Sequence, residues 1–317
     1  DWDGDGRPEI FVLSADERQI GVTRLDANGR IPFPKMLSTE GRPLSMGAGR
    51  LEAGAQPALV VVADLDGKRE LQIVRADGKG RRQRLSSNFK SNPRSVALHD
   101  LNQDGLADVL ILIPFEKIKV LLQQAGKDFD EQDVAPPGGS AEQPWFSAAD
   151  VDGDRKPELL LAQKNFLRAV VLEGGQDQAG ESRGSGWSFT VKDQINGAAS
   201  NSRIVGAAPL HNGTNRVASL FLLDAERKCL TLCERDGAAV WQVVRNLPLP
   251  VSDFSNVQGI GLGATGPNSI AFLGNSSVGW INFQGAIWEF TELDGYESPI
   301  KDAYLHDVVS GDLNRDG

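Results

Sequence analysis

Asp100-Leu101-Asn102-Gln103-Asp104-Gly105-Leu106-Ala107-Asp108 runs directly into Val109-Leu110-Ile111-Leu112-Ile113. An acidic nine-residue loop with oxygen side chains at positions 1, 3, 5 and 9 is thus followed at once by an apolar, strand-like run. The same arrangement occurs as Asp150-Val151-Asp152-Gly153-Asp154-Arg155-Lys156-Pro157-Glu158 before Leu159-Leu160-Leu161, and as Asp1-Trp2-Asp3-Gly4-Asp5-Gly6-Arg7-Pro8-Glu9 before Ile10-Phe11-Val12-Leu13. Asp312-Leu313-Asn314-Arg315-Asp316-Gly317 begins a fourth loop at the end of the chain. Carboxylate and amide oxygens in this spacing suit a hard cation, above all Ca²⁺. Carboxylates packed so closely repel one another unless a cation joins them.

The apolar runs reveal a period. Leu59-Val60-Val61-Val62, Val217-Ala218-Ser219-Leu220-Phe221 and Ile270-Ala271-Phe272-Leu273 have the same character. Counting back nine residues from each gives loop starts at Arg50, Ala208 and Gly261. The seven starts are then 1, 50, 100, 150, 208, 261 and 312, with intervals of 49 to 58 residues. The three added loops lack the ligand set, carrying Arg50, Glu52 and Gly54, then Ala208, Leu210 and Asn212, then Gly261, Gly263 and Thr265. Gly213 and Gly266 keep a glycine at position 6, where Gly6 and Gly105 stand in the acidic loops. Glycine supplies the backbone angles a tight loop needs.

Each loop follows a run of small residues, such as Ser45–Gly49, Ser147–Ala149, Val205–Ala207 or Val309–Gly311. Past the apolar run comes a charged turn, then further strands: Gln19–Arg24, Leu71–Arg75, Ile118–Leu122, Ala169–Leu172 and Cys229–Cys233, and finally stretches such as Trp187–Val191 and Val240–Val244. Four strands in about 50 residues is the sheet of a β-propeller blade. Small residues belong in an innermost strand, where bulky side chains would collide. The expected fold is all-β: a β-propeller of four-stranded antiparallel blades, six full periods and the start of a seventh, in a single domain over residues 1–317. Because the chain opens on one loop and stops inside another, it reads as a piece of a longer protein.

The pattern Asp-x-[Asp/Asn]-x-Asp-Gly-x-x-[Asp/Glu]-hydrophobic resembles the FG-GAP/VCBS repeat family, which includes the propeller of integrin α subunits and many bacterial exported proteins. The resemblance implies six to eight blades, most often seven, with Ca²⁺ in the loop joining the first two strands of a blade. Carried onto this chain, it implies as ligands the side chains of Asp1, Asp3, Asp5 and Glu9; of Asp100, Asn102, Asp104 and Asp108; and of Asp150, Asp152, Asp154 and Glu158. It adds the main-chain carbonyls of Arg7, Leu106 and Lys156, and a further site begun by Asp312, Asn314 and Asp316. Two to three Ca²⁺ sites are expected. An EF-hand would need a bidentate Glu at position 12 and flanking helices. Position 12 is Val12, Ile111 and Leu161, and strands flank the loops.

Composition narrows the function. The net charge of −10 argues against nucleic acid, whose recognition needs a basic face. No stretch approaches the ~20 apolar residues of a membrane span. Cys229 and Cys233 lie on one face of a strand but ~13 Å apart, too far for a disulfide, and read as small buried residues. Gly180-Glu181-Ser182-Arg183-Gly184 matches a nucleophile elbow but sits in a Gly/Ser-rich insertion without the strand and helix the elbow requires. His99, His211 and His306 form no ligand pair. Trp145, Trp187, Trp241, Trp280 and Trp288 fall in or near strands and read as core, whereas Trp2 reads as exposed within its loop.

These readings converge on a Ca²⁺-stabilised interaction or scaffold module of an exported protein, extracellular, on the cell surface or periplasmic. Its partner is a protein or glycan, met by the turns at Asp16–Arg18, Asp64–Arg69, Glu116–Lys117, Asn165–Phe166, Asp224–Lys228 and Asn275–Ser277. The alternative is a propeller-fold polysaccharide lyase or hydrolase with its residues dispersed over several blades.

Overall fold

The computed structural model describes residues 1–14, 16–86, 89, 91–113, 117–139, 146–174, 186–210, 217–249, 256–261, 269–282, 293–299, 305 and 308–315. Every regular element among them is a β-strand, and the strands form six consecutive antiparallel sheets. The first sheet holds β1 (Ile10–Ser14), β2 (Gln19–Thr23) and β3 (Lys35–Leu37). The second holds β4 (Arg42–Gly49), β5 (Ala58–Leu65), β6 (Lys68–Val74) and β7 (Arg81–Arg84). The third holds β8 (Ser95–His99), β9 (Asp108–Leu112), β10 (Ile118–Leu122) and β11 (Asp130–Val134). The fourth holds β12 (Ser147–Ala149), β13 (Glu158–Gln163), β14 (Phe166–Gly174) and β15 (Trp187–Asn196). The fifth holds β16 (Ile204–Leu210), β17 (Ser219–Asp224), β18 (Cys229–Arg235) and β19 (Trp241–Pro248), and the last β20 (Asn256–Ile260), β21 (Ser269–Leu273), β22 (Ser277–Asn282) and β23 (Leu293–Glu297).

Within every sheet the strands lie side by side in chain order, the up-and-down meander of a β-propeller blade. Six such blades are present, and the described residues contain no seventh. The first blade has three strands rather than four. Its acidic loop begins at residue 1, and its three strands correspond to the second, third and fourth strands of the other blades. In the fifth repeat the inner strand β16 runs on through Ala208 to Leu210, past the expected loop start.

The chain divides into two compact units, one made of residues 1–140, 172–189 and 311–317, the other of 141–171 and 190–310. In the first unit, strand β5 is buried along both faces from Ala58 to Ala63. Leu59, Val61 and Ala63 pack with Ile20, Phe11 and Leu13 of the preceding blade. Val60 and Val62 pack with Val96, Val109 and Ile111 of the following one. In the second unit β17 does the same, with Leu220 and Leu222 against Leu160 and Ala169, and Phe221 and Leu223 against Val257 and Phe272. This is why β5 and β17 read as unbroken apolar runs: with a blade on each side, both faces of the pleat are dry.

The inner strands are small for the reason anticipated. A Cβ on Gly47 of β4 would lie 2.5 Å from the Val96 carbonyl of β8, and one on Gly259 of β20 would lie 3.0 Å from the Pro209 carbonyl of β16. Cys229 and Cys233 are free and buried, and burial pushes the Cys233 thiol up to about 12. Trp241 packs on the apolar core of the second unit and donates Nε1–H to Asp193 at 2.8 Å. Trp145, Trp288, His211, His306 and the Gly180–Gly184 segment lie outside the described residues.

Candidate metal centre

The three complete acidic loops share one backbone. Positions 4 and 6 are left-handed in each: Gly4 and Gly6, Gln103 and Gly105, Gly153 and Arg155. Arg315, position 4 of the fourth loop, is left-handed as well. The side chains at positions 3 and 5 then cap the chain two residues on. Asp3 accepts from the Asp5 amide at 3.0 Å and Asp5 from Arg7 at 2.9 Å. Asn102 accepts from Asp104 at 3.2 Å and Asp104 from Leu106 at 2.8 Å. Asp152 accepts from Asp154 at 3.0 Å and Asp154 from Lys156 at 2.7 Å. Such Asx turns are what Asp and Asn do wherever the chain must fold tightly.

Position 9 closes each loop. Its carboxylate accepts the amide of position 2: Glu9 from Trp2 at 2.6 Å, Asp108 from Leu101 at 3.0 Å, Glu158 from Val151 at 2.9 Å. Position 2 is in turn an apolar anchor, fully buried as Leu101 and Val151. Trp2 plays this part in the first loop. Its ring meets Phe11 edge-on with centroids 5.6 Å apart, and its Nε1–H donates to the Val74 carbonyl at 3.3 Å. The exposed Trp2 anticipated from sequence is therefore half-buried, because the loop needs an apolar plug between strands.

The loops differ in how their carboxylates converge. Asp1, Asp3 and Asp5 place ligand oxygens within 4.8 Å of one another, and so do Asp150, Asp152 and Glu158. In the second loop Asp108 is wholly buried and gives both oxygens to amides, Oδ2 to Leu101 and Oδ1 to Gln123 at 2.9 Å. Asp100, Asp104 and Asp108 form no comparable group among the described residues. Burial, followed by the nearby Asp104 and Asp100, pushes Asp108 up to about 7. Burial, followed by Asp152, Asp154 and Asp150, pushes Glu158 up to about 6. In both, burial disfavours the charged form and the neighbouring carboxylates add to that.

Two observations test whether a divalent cation fits. The donor sets are all oxygen, on a loop whose turns are already made by the amides behind them. In the first loop, Oε1 of Glu9, on a side chain only 5% exposed, is buried and makes no hydrogen bond. A buried carboxylate oxygen without a donor is costly unless a cation faces it. The first and third loops fit a hard cation; the second fits less well, since Asp108 has spent both oxygens. In the fourth loop Asp312 accepts from the Arg315 amide at 2.6 Å, and Asp316 lies outside the described residues.

Sequence reading overlooked Arg24. Extending the β1–β2 pairing by one step from Ile10 and Thr23 sets Arg24 opposite Glu9. Its Nη1 lies 3.5 Å from Asp3 and 3.8 Å from Glu9, and it donates to Asp5. The hydrogen bond to Asp5 and then its charge raise the Arg24 pKa. At Asp5, desolvation acts upward but is outweighed by the Arg7 amide and by Arg24, so its carboxyl sits below the usual range. The equivalent residues opposite position 9 are Leu122 and Val171 in the third and fourth blades, one step beyond the pairs Val109–Leu121 and Leu159–Val170. The hairpin spacing between Glu9 and Arg24 was the signal that could have found it.

Among curated proteins, no match to the chain is found. Solved structures match in number, by fold. One is the crystal structure of BBS1N in complex with ARL6DN, soaked with mercury, at 11% identity and a TM-score of 0.52, covering 94% of this chain and 78% of the other. Another is a functionally unknown protein from Desulfotomaculum acetoxidans DSM 771, at 10% identity and a TM-score of 0.53, covering 92% and 81%. Residues 100–161, which span the second and third acidic loops and the strands between them, match the FG-GAP-like repeat.

Proposed function

We propose that the chain is a calcium-stabilised β-propeller module that presents its hairpin turns to a protein or glycan partner, as part of an exported protein. The observation that carries this reading is the convergence of Asp150, Asp152 and Glu158 on a loop with the same left-handed positions as the other acidic loops. Asp150, Asp152, Asp154 and Glu158, with the Lys156 carbonyl, would hold the ion of the third loop. The first loop would use Asp1, Asp3, Asp5 and Glu9. The ion supplies positive charge where burial and neighbouring carboxylates otherwise oppose ionisation. Ca²⁺ ties position 9, at the start of a buried strand, to positions 1 and 3 of the loop, and so stiffens the link between the inner two strands of a blade.

Oxygen sites of extracellular modules bind Ca²⁺ at about 10⁻⁴–10⁻³ M, an affinity that is of use where the ion is abundant. This supports an exported setting. The turns at 16–18, 66–67, 164–165 and 225–228 each join the second and third strands of a repeat and carry Arg18, Asp66, Lys164 and Lys228 with positive φ. Their charges differ from blade to blade, as suits a contact surface more than a convergent catalytic set.

Thermal unfolding in EDTA and in millimolar Ca²⁺, with bound calcium counted, tests the reading. Two to three ions per chain and a melting temperature several degrees higher in Ca²⁺ are expected. An unchanged melting temperature with no bound calcium would sink it.

A further inference from the structure

We infer that Arg24 is a built-in rival for the cation of the first loop: its guanidinium occupies the space between Asp3, Asp5 and Glu9 and must leave before a metal ion can enter. The inference rests on the calcium reading above.

Three of the four side chains that would bind a divalent ion in the first loop, Asp3, Asp5 and Glu9, now face Arg24. One nitrogen, Nη1, reaches Asp3 at 3.5 Å, Asp5 by hydrogen bond and Glu9 at 3.8 Å, which are positions 3, 5 and 9 of the loop. The fit is incomplete in one place. Oε1 of Glu9 is buried, unbonded and turned toward the cation, yet the guanidinium stands 3.8 Å away. A planar, weakly hydrated guanidinium can touch three carboxylates, but it cannot draw all of them into the close contact that a compact divalent ion permits. Arg24 thus keeps the acidic loop folded in the absence of metal and yields it to a better-fitting ion.

The placement is a matter of strand register. Arg24 stands opposite position 9, where the third and fourth blades carry Leu122 and Val171. The first loop's carboxylates are latched by a residue of the strand paired beside them. A latch that leaves the ligand shell open about a tenth of the time weakens metal affinity about tenfold, because binding is scaled by the competent fraction.

The full chain supplies its own reporter. Trp2 is position 2 of the first loop, whereas Leu101 and Val151 hold that place in the other complete loops. Terbium luminescence excited through tryptophan and abolished by Trp2→Phe therefore reports the first loop. The experiment titrates Tb³⁺ into the wild type, Arg24→Gln and Arg24→Lys, counts bound calcium in each, and follows melting in EDTA and in Ca²⁺. Arg24→Gln is expected to reach half-saturation at about one tenth of the wild-type Tb³⁺ concentration. It should melt below the wild type in EDTA and lose that deficit in millimolar Ca²⁺. Arg24→Lys keeps the charge without the fork, so it should stay folded in EDTA and fall between the two. Equal half-saturation in the wild type and both variants overturns the proposal while calcium still counted at the third loop leaves the functional reading standing. No calcium and no terbium in any protein would overturn both.

Discussion

At position 6 of the acidic loops, Gly105 and Arg155 adopt the same left-handed conformation with φ of +90° and +73°. A Cβ on Gly105 would meet nothing within 4 Å, so Gly105→Ala isolates the backbone cost. It should lower stability by about 1–2 kcal/mol. Arg155→Gly relieves the same strain and should raise stability by up to about 1 kcal/mol, less the entropy glycine gains when unfolded. Urea denaturation in EDTA reads both, and shifts of equal sign would contradict a shared loop backbone. The Asx turns at positions 3 and 5 are legible in the sequence, because each joins residues two apart. That Gln103, Arg155 and Arg315 would take left-handed angles is not, since the demand comes from the closed loop rather than from those residues' own preference.

Among the elements, the doubly buried second strands and their hairpins carry the fold. Leu220 and Phe221 are adjacent in β17 and point into different apolar clusters, one shared with the preceding blade and one with the following. Leu220→Ala and Phe221→Ala should each cost about 3 kcal/mol by chemical denaturation, as cavities open on either side. A loss confined to one of them would mean that only one face of the strand is packed. The hairpin after β5 is tied by Asp64, which accepts the Gly67 amide at 2.8 Å and pairs with Arg69. The Gly67 amide, ahead of the Arg69 charge, holds the Asp64 carboxyl below its ordinary range. Since the folded value is the lower one, its contribution is present above the unfolded pKa near 4 and fades as pH falls through the folded value. Asp64→Ala should therefore cost about 1 kcal/mol at pH 7 and progressively less below about pH 4. A cost independent of pH would show that the carboxylate charge plays no part. The strands themselves were legible from apolar runs and turn residues, although the final strands came out longer than expected, Trp187–Asn196 and Trp241–Pro248. Their mostly exposed residues give a weaker signal than the buried runs.

For the whole molecule, charge is the quantity to follow. The chain carries a formal net charge of −10, and binding two to three divalent ions would bring it to between −6 and −4. Native electrophoresis in Ca²⁺ should show slower migration toward the anode than in EDTA, and identical mobility would argue against any occupied loop. The sequence by itself determined the period of about 50 residues, the acidic loops, the small inner strands and the four-stranded blade. These depend on spacings of two to nine residues and on the alternation of a strand, which are local. Tertiary structure decided how the loops differ. It brought together Asp150, Asp152 and Glu158, let Asp108 spend both its oxygens on the Leu101 and Gln123 amides, set Trp2 half-buried as a plug, and set Arg24 among the carboxylates of the first loop. The physical reason is register. Where position 9 points, and what stands opposite it, is settled by hydrogen-bonded pairing with a strand some fifteen residues farther on, and a nine-residue motif carries no record of its partner across the sheet.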